Sequence, residues 1–160
     1  MPETGRTITL RFIRGRGPLS ALIAWFGGGE YSHVDFRMAD GAWLGARSDR
    51  IGGVPAGVQV RPADYIKPLH EMRLSLKVTL EQYRDHFEFL YSQVGKPYDH
   101  WAIYGFIAGR NWRHPSAWVC SELQCAAAES ADIMQPLVLT ANRITPNDMA
   151  LIWSALGATQ

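Results

Sequence analysis

"YSHVDFRMADGAWLGAR", residues 31–47, decides the fold. Its first half alternates: Val34, Phe36 and Met38 fall on one face of a strand, His33, Asp35 and Arg37 on the other. "ADG" (39–41) carries a hairpin turn, and "AWLGAR" (42–47) is the returning strand. A hairpin with one clean apolar face needs a cover, so the surrounding chain should supply more strands and a layer of helices.

The flanking sequence supplies both. "TITLRFI" (7–13) is β-rich and alternating, and "GPLSALIAWF" (17–26) reads as a short helix with Pro18 in its first turn. "GGGE" (27–30) breaks that helix. Residues 48–57 are a Gly/Pro-rich loop, followed by a short strand at 58–62. In 71–79, Met72, Leu74, Leu76 and Val78 alternate with Arg73, Ser75, Lys77 and Thr79, the pattern of a half-buried strand. Residues 80–94 place Leu80, Tyr83, Phe87, Leu90, Tyr91 and Val94 at helical spacing. "GKPYDHWAIYGFIAG" (95–109) opens with a turn and continues as an aromatic-rich helix or loop. Helices are expected at 117–131 and at 145–157, the latter with Thr145 as N-cap, Pro146 at the first position and Gly157 at its end. The order predicts a single α+β domain over residues 1–160, a small antiparallel sheet or half-barrel packed against helices.

Composition excludes several classes. At 160 residues, 47% hydrophobic and 19% charged, the chain is ordinary globular material rather than disorder. A net charge of +1 gives no reason to expect a nucleic-acid partner. Arg6, Arg11, Arg14 and Arg16 follow one another with no acid between, and read as a solvated strand edge, with a local anion-facing edge as the alternative. No stretch reaches the roughly 18 apolar residues of a membrane span. The N-terminus has no apolar run ending in small residues, so the expectation is cytoplasmic synthesis without a signal peptide. The six tryptophans and "DHWAIYGFIAG" (99–109) are expected mainly in the core, with the lining of an apolar groove as the alternative.

The two cysteines are Cys120 and Cys125. On one helix, five residues at about 100° each set them roughly 140° apart, poor geometry for a disulfide. No histidine or carboxylate near them has zinc-ligand spacing, and no cofactor is expected. Cys125, in "CAAAES", reads as a small core residue. Cys120 falls at a helix start, where unpaired amides and the dipole favour a thiolate. Among five histidines, His86 reads as a surface residue, His70 as a loop residue, and His100 and His114 sit in irregular aromatic surroundings. His33 stands on a strand whose opposite face is apolar, which holds its ring on a fixed side.

Three motifs occur in order: "YSHVDF", "GKPYDHW" and "WVCSEL". Together they resemble the circularly permuted papain-like amidases, the permuted branch of the NlpC/P60 superfamily that includes YiiX-like proteins and is related to lecithin retinol acyltransferase. The resemblance covers most of residues 7–131. It implies a permuted papain-like fold and a cysteine amidase or peptidase, with Cys120 as nucleophile and His33 as base. It sets Tyr98 beside the cysteine to bind substrate or the oxyanion, and leaves Ser121 and Glu122 to serve the helix start. The family's third polar residue would fall twelve positions after His33, on Gly45, which has no side chain. Ser48 is therefore the candidate third catalytic residue, with Asp49 and Asp35 as alternatives. Asp35 is also a candidate substrate contact. The substrate implied is an amide in a cell-wall peptide, met in a phage particle or during recycling of wall fragments. The resemblance leaves two alternatives, an inactive binding module within a larger assembly, marked by the gap at Gly45, and a lipid acyltransferase.

Overall fold

The computed structural model describes residues 5–110, 112, 114–137 and 143–160. Five strands make one antiparallel sheet: β1 (Arg6–Arg14), β2 (His33–Arg37), β3 (Trp43–Arg47), β4 (Gly57–Arg61) and β5 (His70–Val78), in the order β4-β3-β2-β1-β5. Five helices accompany them: α1 (Pro18–Phe26), α2 (Leu80–Ser92), α3 (His100–Ile107), α4 (Cys120–Ser130) and α5 (Pro146–Ala155). The chain is thus α+β, with an open sheet. None of the described helices is long and apolar enough to cross a membrane.

The alternation in the strands sorts the sheet into two faces. Ile8, Leu10 and Phe12 of β1, Val34 and Phe36 of β2, Leu44 and Ala46 of β3, and Leu74 and Leu76 of β5 form the core with α2, α4 and α5. Capping boxes fix the starts of two helices: Thr79 with Gln82 for α2, and Thr145 with Asp148 for α5. The opposite face is buried too, and there the sequence reading needs correction. Arg11, read as part of a solvated edge, is only 2% exposed and pairs with Asp35 in the neighbouring strand.

Two further expectations fail. The tryptophans divide: Trp43 and Trp153 are buried, whereas Trp25, Trp101 and Trp112 are exposed. His86 is not on the surface. It is fully buried beside Phe36 and Trp153, while Leu80, Tyr91 and Val94, expected to face inward, are exposed. The buried stripe of α2 runs through Tyr83, His86, Phe87 and Leu90, a regular helical spacing.

Neither ring nitrogen of His86 has a hydrogen-bond partner, and burial pushes its pKa down to about 3. An unfolded histidine titrates near 6.5, so between those values the unfolded chain binds a proton that the folded chain refuses. His86 therefore costs stability as pH falls from about 6.5, by about 1.4 kcal/mol per pH unit. Compared with wild type, His86→Phe should lose about 3 kcal/mol less stability between pH 7 and pH 4, read by urea denaturation. Equal losses in the two proteins would show that the folded ring takes up a proton as readily as the unfolded one.

Candidate active site

α4 starts at Cys120 because the residues before it are held extended. Val119, the N-cap, has φ −93° and ψ 152°. Trp118 N–H donates to the Pro97 carbonyl at 3.1 Å, and Asp99 N–H donates to the Trp118 carbonyl at 3.0 Å. The "GKPYD" turn is tied in turn to β4: Gly95 N–H donates to Val58 at 2.8 Å and Val58 N–H to Lys96 at 2.9 Å. Gly57 permits this approach, since its φ is +112° and a side chain there would strike the Lys96 carbonyl. These bonds set Tyr98 alongside Cys120. Both line a narrow cleft of about 30 Å³ together with Ser32, Ile103 and Val119.

The helix lies across β2 and β3, and Gln124 Nε2 donates to the Leu44 carbonyl at 3.3 Å. The backbone N–H groups of Val34 and Ser121 are directed at the Cys120 sulfur. The thiol thus lies against the peptide bond joining His33 to Val34. Burial pushes its pKa up to about 11, and the two amides oppose this without overcoming it. The thiolate expected at a helix start is not the resting form: desolvation outweighs the helix terminus. Cys125 is also a free, buried thiol, pushed up to about 12 by burial and by Glu129.

The His33 ring is held by Asp35, two residues along the same strand face. His33 Nε2 and Asp35 Oδ1 are 2.6 Å apart. Arg11 donates to the other carboxylate oxygen at 2.9 Å and the Tyr65 hydroxyl donates to it at 2.5 Å. Burial alone would raise the Asp35 pKa, but His33, Arg11 and Tyr65 together hold it well below the usual carboxylate range. The carboxylate is therefore ionised and can only accept. His33 Nε2 must carry the proton, which leaves Nδ1 with a free lone pair. Burial also pushes the imidazole pKa down, against the pull of Asp35, so the ring is neutral at pH 7.

The clamp around Asp35 joins residues far apart in the sequence. The Arg11 guanidinium lies 4.0 Å from the Trp43 ring centroid and 5.0 Å from that of Tyr65. Tyr65 comes from the stretch between β4 and β5, where no periodicity marks it. Gly45 completes the arrangement. The register pairing Phe36 with Leu44 sets Gly45 opposite Asp35, and a side chain there would collide with Oδ1. The missing side chain at Gly45 is thus the space that the Asp35 carboxylate occupies. Gly45→Ala is expected to push the carboxylate off the imidazole and lower Cys120 reactivity at least tenfold, roughly the loss that follows removal of such a supporting partner. Unchanged labelling of Cys120 by iodoacetamide would contradict it.

Ser48 does not hold the third position. It lines a cavity of about 380 Å³ with His33, Arg47, Asp49 and Tyr98, and its carbonyl faces His100 Nε2 at 3.4 Å. The imidazole nitrogen that a third residue would orient is bonded to Asp35 instead. Asp49 is taken by Arg47, in a two-pronged pair at 2.7 and 2.8 Å. Asp35, suggested also as a substrate contact, is 1% exposed with both oxygens committed, so its place is behind the imidazole. Ser121 donates to the Ile144 carbonyl, and Glu122 is buried in the first turn of α4. Ser32, Ile23 and Tyr98 line both the cavity and the Cys120 cleft, so the two share a wall. Among the described residues, no cluster of three or more His, Cys, Asp or Glu could hold a metal ion.

No known family profile matches the chain, and no curated protein matches it significantly.

Proposed function

We propose that the chain is a thiol hydrolase with a permuted papain-like fold, and that it cleaves an amide bond in cell-wall peptides. The observation that carries this reading is the His33–Asp35 bond of 2.6 Å, with the Cys120 thiol packed against the peptide that joins His33 to Val34. A neutral imidazole oriented by a buried carboxylate, beside a thiol at a helix start, supports general-base activation of a nucleophile. The ordered motifs around Ser32–His33, Tyr98 and Cys120 support the family, and through it the substrate class.

The chemistry follows from the protonation states. Cys120 Sγ attacks the carbonyl carbon as its proton passes to His33 Nδ1. Asp35 stabilises the imidazolium that forms. Burial holds the Tyr98 phenol protonated, so its hydroxyl is a donor for the developing oxyanion. His33 then gives its proton to the departing amine, leaving a thioester on Cys120. Water, losing a proton to His33, attacks the thioester, releases the acid and restores the thiol. The cavity beside His33 is large enough for a short peptide arm.

The test is release of free amine from purified wall peptides. Wild type is expected to release it, and Cys120→Ala to release none. Equal release by the two proteins, or none by wild type, overturns the reading.

A further inference from the structure

α1 is an apolar helix that the fold scarcely buries. Of its nine residues only Ala24 is buried. Leu19, Leu22 and Phe26 are exposed, and Trp25 is 75% exposed. α3 shows the same character: Trp101 is 64% exposed and Tyr104 58%, with their rings in edge contact. Gly105 lets Trp112 lie against this helix, and Trp112 is exposed as well.

The two helices flank one opening. Ile23 of α1 and Ile103 of α3 line the Cys120 cleft together, and Leu19 lines the larger cavity beside His33. Around this aromatic rim the exposed charge is mainly positive, although Glu30 is exposed beyond α1 and Asp49, paired with Arg47, lines the larger cavity. The sequence has no Asp or Glu from Gly5 to Gly29, or from His100 to Ser121, while Arg14 and Arg16 precede α1 and Arg110 follows α3. Arg16 and Arg110 are exposed, and the Arg16 Nε donates to the carbonyl of Lys67, another exposed cation.

Tryptophan and tyrosine with an apolar body and a polar edge are the side chains that settle at a bilayer's headgroup level. Exposed arginines beside an apolar, aromatic face complement an anionic leaflet. We infer that α1 and α3 form a docking surface for an anionic lipid bilayer, seating the mouth of the Cys120–His33 site against the membrane. The surface is built of helices lying in the interface, not crossing it. Docking uses no chemistry of Cys120, so it stands or falls separately from the hydrolase reading.

The experiment is flotation of the full chain with vesicles of phosphatidylcholine containing a minority of phosphatidylglycerol, against pure phosphatidylcholine. Wild type and Cys120→Ala should float equally with the anionic vesicles, and salt should weaken the binding. Trp25→Ser with Trp101→Ser should lower the partition coefficient roughly tenfold or more. Arg16→Glu and Arg110→Glu should each lower it roughly fivefold or more. Circular dichroism checks that the variants fold. Quenching of wild-type tryptophan fluorescence by brominated lipid provides a readout without any variant. Failure of wild type to float, binding indifferent to Trp25 and Trp101, or a dimer in light scattering that their replacement dissolves would each overturn the inference. The last result would make a second copy of the chain the occupant of this face.

Discussion

Asp35→Ala is expected to lower the unfolding free energy by about 3–5 kcal/mol, the cost of removing one partner from a buried ion pair. Arg11 would remain, 2% exposed and wedged among Trp43 and Tyr65, with no carboxylate to face. The Tyr65 hydroxyl and His33 Nε2 would lose their acceptor as well. Urea denaturation measures the loss. The double variant Asp35→Ala with Arg11→Met should regain part of it, because an apolar replacement of a buried pair can be nearly neutral. It should not regain Cys120 reactivity, since the ring still lacks its orienting partner. A loss under about 1 kcal/mol for Asp35→Ala, the range of an exposed ion pair, would show that the cluster is open to water.

His33→Gln should slow reaction of Cys120 with iodoacetamide by about 10²–10⁴-fold at pH 7, the usual contribution of a positioned base. With burial pushing Cys120 up to about 11, almost none of it is thiolate at neutral pH. A reactive sulfur there must lose its proton during attack, and in the proposed mechanism the Nδ1 of His33 accepts it. Cys125 faces the Glu129 carboxylate at 3.7 Å rather than His33 and serves as the internal reference, so peptide mapping of the label separates the two thiols. A fall of less than about tenfold would mean that His33 takes no part.

Much of this was legible in the sequence, and the parts that were not share a cause. The alternation of residues 33–38 and 71–79 predicts strands and their inner faces correctly, because apolar side chains of a two-faced strand must sort to one side. Thr145 and Asp148 mark the start of α5 because capping is local chemistry. Arg11 and Asp35 lie 24 positions apart and meet only through strand register, so nothing near Arg11 reveals its partner. Gly45 misleads for the same reason: its lack of a side chain makes sense only once Asp35 stands opposite. Tyr65 carries no periodic signal at all. His86 is different, since its spacing from Tyr83 and Leu90 does place it on the buried stripe of α2. Its polarity, not its position, argues for the surface, and packing prevails. Trp25 and Trp101 show the reverse, apolar residues that the fold leaves in water.

The role of His33 is read most directly from the pH profile of Cys120 alkylation between about pH 5 and 9, in wild type and in His33→Gln. If His33 is the base, the wild-type rate should rise only to the pH at which the imidazole becomes neutral and then level off. Burial pushes that point below the ordinary histidine value of 6.5. His33→Gln should show no plateau, only a rate growing about tenfold per pH unit toward the thiol's own pKa, as for Cys125. A wild-type profile that climbs through pH 9 and matches His33→Gln would show that His33 is not the base.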